Sequence, residues 1–301
     1  MAITVKPKVY ILDEELGWTQ QRNVQRTYQT DGVTAAVETN ELGLRGPVYT
    51  GPSRQKRILI LGDSFTAGFE VSNDELFSMI WDRARPDLEI VNAGVSGYST
   101  VQEILRSRQL QSIVQPDLYM LFVYENDLND NVMPFFPGLG PRPYVDENGH
   151  IHPTNWELYV PLLPPIPGKI WLYKNTLGFY LIHNWLWQFS IKKQESKPHP
   201  YVKQWSTAIP EDVKWKALEG LIATFAQGKK LVLVALPARE HVKSGDTDFS
   251  VRLQGLAERV GVQFVNLQLV LRPEHFYEND IHWNAAGHKA VASYLTSKIS
   301  P

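Results

Sequence analysis

Two short stretches, far apart in the chain, hold the residue types that hydrolytic chemistry needs. Gly62-Asp63-Ser64-Phe65-Thr66 follows the apolar run 57–61, and Asn279-Asp280-Ile281-His282-Trp283-Asn284 lies near the other end. A serine hydroxyl is a poor nucleophile at neutral pH until a neighbouring base takes its proton. His282 is the candidate base. Asp280, two residues earlier, is of the type that fixes the imidazole tautomer and stabilises the imidazolium. On an extended stretch, side chains at i and i+2 share a side, so the two can meet without help from a distant segment.

Acyl transfer also needs donors aimed at the oxyanion. The Ser64 N–H lies at a predicted helix start, where amides are unpaired and the dipole favours anions. Gly97, in Asn92-Ala-Gly-Val-Ser-Gly97-Tyr98, lets a backbone N–H come close. Asn126, in Tyr124-Glu-Asn-Asp127, has a side-chain amide to donate. Each motif alone has a plain structural reading: Gly-Asp-Ser as a helix cap, Asn126-Asp127 as a turn, Asp-x-His as a polar loop. Their joint occurrence after successive strands and before the last helix selects the catalytic reading. His288 reads as structural. His150 and His152 have an i, i+2 spacing with no carboxylate pattern to complete a metal site, and read as a solvated loop. Arg239 and Glu240 follow the fourth strand and are candidates to border the site.

The elements that must position these groups follow from short β-rich apolar runs at 57–61, 88–92, 118–123, 231–236 and 263–267, the pattern of buried parallel strands. Helical spacing covers 100–111, 211–226, 249–260 and 285–298, with Gly228 as a stop. Strands alternating with helices predict an α/β fold of three layers around a parallel sheet. Residues 1–56 read as a β-rich collar. Residues 133–210 read as a Pro- and Trp-rich cap inserted between the two parts of the core, 57–132 and 211–301. An excursion of that length usually serves as a lid or binding element; most of its aromatics read as staples of the subdomain to the core, and the compatible functional reading is an apolar roof over Ser64.

Composition narrows the function classes. Apolar residues make up 43% and charged residues 21% of 301 residues, an ordinary soluble balance. The net charge of -2 and the lack of a Lys/Arg run give no basis for nucleic-acid binding. There is no cysteine, which excludes disulfides, thiolate metal sites and cysteine nucleophiles. Phosphate-loop and dinucleotide fingerprints are absent, so no cofactor and no metal are expected. The apolar stretch 169–193 is too interrupted for a membrane span; interfacial contact through Trp185 and Trp187 is the lesser alternative. With no signal-peptide pattern in 1–18, the chain reads as cytoplasmic. Nothing in the sequence sets an oligomeric state.

Taken together, Gly62-Asp-Ser-Phe-Thr66, Gly97 in its Asn-Ala-Gly-x-x-Gly setting, Asn126-Asp127 and Asp280/His282 resemble the SGNH (GDSL-type) hydrolase superfamily over about 57–130 and 230–298. The collar segments Asp13-Glu-Glu-Leu-Gly-Trp18 and Thr39-Asn-Glu-Leu-Gly-Leu-Arg-Gly46 are similar to stretches preceding the catalytic domain in bacterial members. The resemblance implies a flavodoxin-like five-stranded sheet of order 2-1-3-4-5. It implies Ser64 as nucleophile, His282 as base, Asp280 as its orienter, and Ser64 N–H, Gly97 N–H and Asn126 as oxyanion hole. Two positions depart from the common pattern: Tyr124 stands where glycine is usual, and the acid precedes His282 by two residues rather than three. That spacing leaves open a dyad in which a backbone carbonyl holds His282. The implied activity is a serine esterase acting on a small-molecule acyl ester through an acyl-enzyme. The alternatives are an O-acyltransferase using the same serine and a non-catalytic binding protein on the same fold.

Overall fold

The computed structural model describes residues 9–30, 33–52, 56–136, 139–146, 149–156, 171–172, 176 and 209–299. The chain starts with two antiparallel hairpins, β1 (Tyr10–Asp13) with β2 (Gly17–Gln20) and β3 (Gln25–Thr30) with β4 (Val33–Glu38). Strand β4 alternates buried and exposed residues, as a strand with one packed face must. Next come β5 (Lys56–Leu61), α1 (Ser64–Ala67), α2 (Phe77–Ala84) and β6 (Leu88–Asn92). They are followed by α3 (Thr100–Val114), β7 (Leu118–Val123) and α4 (Asp127–Asp130). Two short hairpins follow, β8 (Phe135–Phe136) with β9 (Gly140–Pro141) and β10 (Tyr144–Val145) with β11 (Ile151–His152). The chain then continues through α5 (Glu211–Ala226), β12 (Leu231–Ala235) and α6 (Arg239–Ser244). It ends with α7 (Asp248–Val260), β13 (Gln263–Asn266) and α8 (Ala285–Lys298).

Five strands form one parallel sheet in the spatial order β6-β5-β7-β12-β13. Counted along the chain, that is the expected order 2-1-3-4-5. Strands β7 and β12 are buried at every residue, which explains their unbroken apolar sequences. Period-2 alternation divides them between two layers. Leu59, Leu61, Leu121, Val123, Leu233 and Ala235 face a core shared with α3, α5 and α7. Ile58, Ile60, Met120, Phe122, Val232 and Val234 face the other, filled from α2 and α8 by residues such as Trp81 and Leu295. Chain direction through the sheet reverses between β5 and β7, the switch point where open α/β sheets leave a crevice beyond their carboxyl ends. Ser64 and Asn126 follow those two strands.

Some elements depart from the sequence expectation. Helix α2 is not among the expected helices: it is eight residues long and buries Phe77, Ser78 and Trp81. Helix α3 runs past the expected end to Val114, where Gln115 takes a left-handed cap at φ 51°. Strands β12 and β13 each stop one residue earlier than expected.

The collar hairpins brace the core. Gln102 Nε2 of α3 donates to Leu16 O at 2.7 Å, and Arg106 Nη2 to Leu42 O at 2.8 Å. That contact buries polar residues all round the first half of α3, which a solvent-facing helix would expose. The first part of the insertion docks on the collar too, with Thr154 Oγ1 donating to Glu15 O and Trp156 Nε1 to Glu14 O. Most of the insertion expected to form the roof, the Trp185/Trp187 pair included, lies outside the described residues. Among the described residues no helix is long and apolar enough to cross a membrane.

Candidate active site

Gly62 ends β5 where a side chain has no room: a Cβ would lie 2.0 Å from Thr66 Oγ1 and 3.1 Å from Phe122 Cβ. The chain turns there, and the Asp63 carboxylate accepts from Phe65 N at 3.0 Å, capping α1. Ser64 is thereby set at the first position of that helix. Burial, opposed by the His282 charge and the cap bond, raises the Asp63 carboxyl to about 6.

His282 comes from a loop whose ends are tied together before α8. Phe276 and Trp283 form an antiparallel bridge, Tyr277 N donates to His282 O, and Asn284 caps α8 by accepting from Ala286 and Gly287. Arg239, one of the bordering candidates, donates to Glu278 O at 2.6 Å and so holds the loop tip. Glu240 points elsewhere, pairing with Lys243.

The tip brings the predicted residues together. His282 Nε2 lies 2.7 Å from Ser64 Oγ, and His282 Nδ1 lies 2.5 Å from Asp280 Oδ1. The same carboxylate oxygen accepts from the His282 backbone N–H at 2.9 Å. The i, i+2 meeting therefore comes from an Asx-type turn, not from extended backbone; a carboxylate that binds its own downstream amide curls the chain back on itself. An ionised carboxylate only accepts, which puts the imidazole proton on Nδ1 and leaves Nε2 to accept from Ser64. Asp280, rather than a backbone carbonyl, is the group against Nδ1. Burial disfavours the imidazolium, yet the Asp280 bond and the nearby charges of Glu70, Asp280 and Asp63 outweigh it and raise His282 above its ordinary value. The same bond holds Asp280 below the usual carboxylate range.

Aromatic rings fix the imidazole laterally. Phe65 sits 4.9 Å from the His282 ring, 5.2 Å from Trp283 and 4.8 Å from Tyr124. Tyr124 thus packs against the residue after the serine. His288 is fully buried against Phe77 and Trp283, and burial pushes it down to about 3. It is a packing residue, as read from the sequence. His150 and His152 both lean on Asp146, and among the described residues no cluster is arranged to hold a metal ion.

Besides Ser64 at the start of α1, the oxyanion candidates Gly97 and Asn126 lie on loops with strong anchors. Gly97 has φ +77°, and a Cβ there would meet Leu139 at 3.1 Å and Trp18 at 3.4 Å. Its loop is pinned by the collar through Trp18 Nε1 to Ser96 O, Gln20 Nε2 to Gly94 O and Tyr98 Oη to Trp18 O. Asn126 donates from Nδ2 to Asp130 Oδ2 at 2.9 Å. Arg142, wholly buried, donates to Asp130 Oδ1 at 2.7 Å, to Met133 O at 3.0 Å and to Gly97 O at 3.3 Å. One guanidinium thus ties the Gly97 loop to the Asn126 turn. Asn126 also lines an open depression of about 710 Å³ with Lys214, Trp215, His241 and Arg252. Ser64 and His282 do not line it.

Sequence reasoning missed three residues here: Arg142, Arg45 and Glu70. Arg45, from the collar, is buried and donates to Ala67 O, Gly68 O, Val71 O and Asn73 Oδ1, gripping the segment after α1. Glu70 places Oε1 3.5 Å from His282 Nδ1. The one trace of Glu70 in the sequence is a lone carboxylate between Phe69 and Val71.

No protein-family model matches the chain, and no curated protein matches it. Solved structures similar to it include LAE5, an alpha/beta hydrolase enzyme from the metagenome of Lake Arreo, Spain. It is 15% identical, with 83% of this chain and 98% of that chain covered and a TM-score of 0.45. A member of the lipolytic protein G-D-S-L family from Veillonella parvula is 14% identical over 81% and 98%, with a TM-score of 0.44. The psychrotrophic esterase EstA from Pseudoalteromonas sp. is 13% identical over 81% and 97%, with a TM-score of 0.43. Similarity at this level carries no argument about function, which rests on the residues of this chain.

Proposed function

We propose that the chain is a serine esterase of the SGNH type, hydrolysing a small-molecule acyl ester through an acyl-enzyme. The observation that carries this reading is the unbroken hydrogen-bond relay from Ser64 Oγ through His282 to Asp280. In the first half-reaction His282 Nε2 takes the Ser64 proton as Oγ attacks the ester carbonyl, and then gives it to the departing alcohol. In the second, His282 takes a proton from water, whose oxygen attacks the acyl-enzyme, and returns it to Ser64. Asp280 stabilises the imidazolium that forms at each step.

The oxyanion is received by the N–H groups of Ser64 and Gly97 and by Asn126. The Asn126 Nδ2 carries two hydrogens; one serves Asp130, and the other is left for the substrate. Removing one such donor costs about 10²–10³ in kcat in other hydrolases.

The test is Ser64→Ala assayed on p-nitrophenyl acetate, with circular dichroism as the fold control. Turnover falls to the buffer rate while the spectrum is unchanged. A variant that keeps most of its turnover overturns the assignment.

A further inference from the structure

We propose that Glu70 is a second carboxylate for His282, a positioning residue that shares the imidazolium charge with Asp280 and takes its place when Asp280 is lost. This rests on the reading of His282 as the base. Glu70 is 6% exposed, its Oε1 is 3.5 Å from His282 Nδ1, and its Oε2 has no hydrogen-bond partner among the described residues. Burial raises the Glu70 carboxyl, against the His282 charge and a bond from its own backbone N–H, and a carboxylate so buried is favoured by a cation beside it. Two cationic groups face this one, His282 and Arg45. The bonds Arg45 makes go to the carbonyls of residues 67, 68 and 71 and to Asn73, so its guanidinium is committed elsewhere. The imidazole is the group in contact.

The surroundings fix Glu70 in that position. Tyr277 Oη donates to Glu70 O at 2.9 Å, tying it to the loop that carries His282. Arg45 grips the backbone on both sides. The other titratable groups facing the pair are Asp280 and Asp63, and the phenols Tyr10, Tyr28 and Tyr277, which burial raises. His288 faces His282 as well and is held neutral by burial. Nδ1 has one proton, and Asp280 at 2.5 Å accepts the hydrogen bond from it. Glu70 at 3.5 Å therefore acts by charge on the imidazolium when it forms, and accepts the Nδ1–H hydrogen bond once Asp280 can no longer do so.

The experiment compares wild type, Glu70→Gln, Asp280→Asn and the double variant by pH–rate profile. It also follows the His282 imidazole by ¹⁵N NMR titration, with the titrations repeated in a Ser64→Ala background. Glu70→Gln moves the His282 midpoint and the acid limb of kcat/KM to lower pH and lowers kcat with KM unchanged. The double variant falls about tenfold below Asp280→Asn, as coupled neighbours do. An unmoved midpoint, or a double variant no slower than Asp280→Asn, overturns the proposal. Glu70→Met, which fills the buried space without charge, gives the same shift if the Gln variant does not fold. The titration reads Glu70 without turnover, so failure of the serine reading shows separately, as activity retained by Ser64→Ala.

Discussion

His282 can act as a base only when neutral, and the carboxylates around it favour its charged form. A raised imidazole value places the acid limb of kcat/KM above the ordinary histidine value, with activity rising as pH rises through it. Asp280→Asn removes the strongest of the interactions that raise it, so that limb moves to lower pH while kcat falls by about 10²-fold or more. His282→Ala costs more than Asp280→Asn, since Glu70 remains beside the ring. A pH–rate profile of the two variants checks both statements; an unmoved limb in Asp280→Asn contradicts them. Ser64, Asp280 and His282 were legible in the sequence because each stands in a short contiguous motif. Glu70 was not, because its part depends on being buried 3.5 Å from a residue more than two hundred positions away.

At the scale of elements, the loops after β5, β6 and β7 are held more tightly than their sequences suggest. Gly97→Ala forces a side chain into a left-handed conformation and against Leu139. It is expected to cost about 1 kcal/mol or more in urea unfolding and to lower kcat by displacing the N–H. Arg142→Lys keeps the charge, but an ammonium cannot reproduce the planar fork that reaches Asp130, Met133 and Gly97 together. Its kcat falls by up to about 100-fold with KM little changed, and a variant of wild-type kcat would separate Arg142 from the oxyanion loops. The five core strands were legible because buried parallel strands read as near-continuous apolar runs. The Asx-type turn at Asp280 was not, since the same residues read equally well as extended chain. Neither was α2, whose eight residues are shorter than the stretch over which helical periodicity is read.

Across the whole molecule, acidic groups are concentrated beneath the site. Glu103 is 1% exposed with both carboxylate oxygens lacking a partner among the described residues, and Asp127 and Asp63 are close enough to repel it. Burial first, and then that repulsion, raise Glu103 and Asp127 well above their usual values. A carboxyl with a raised folded value binds its proton more tightly when folded. Its contribution therefore favours the fold at low pH and is lost as pH rises from the unfolded value through the folded one. For Asp63 that window runs from 3.8 to about 6. Glu103→Gln is expected to flatten the fall in the urea midpoint as pH is raised, compared with wild type; parallel curves would contradict it. The sequence showed a β-rich collar before an α/β core. It did not show that Arg45, Trp18 and Gln20 reach from the collar into the loops beside Ser64, because those contacts join segments with no shared pattern.

The central claim, that Ser64 is a nucleophile activated by His282, is tested most directly by covalent labelling. Wild type, Ser64→Ala and His282→Ala are incubated with a fluorophosphonate, and the labelled peptide is mapped by mass spectrometry. One adduct is expected, on Ser64, absent from Ser64→Ala and formed far more slowly in His282→Ala. No adduct at Ser64, under conditions that label a control esterase, would contradict it.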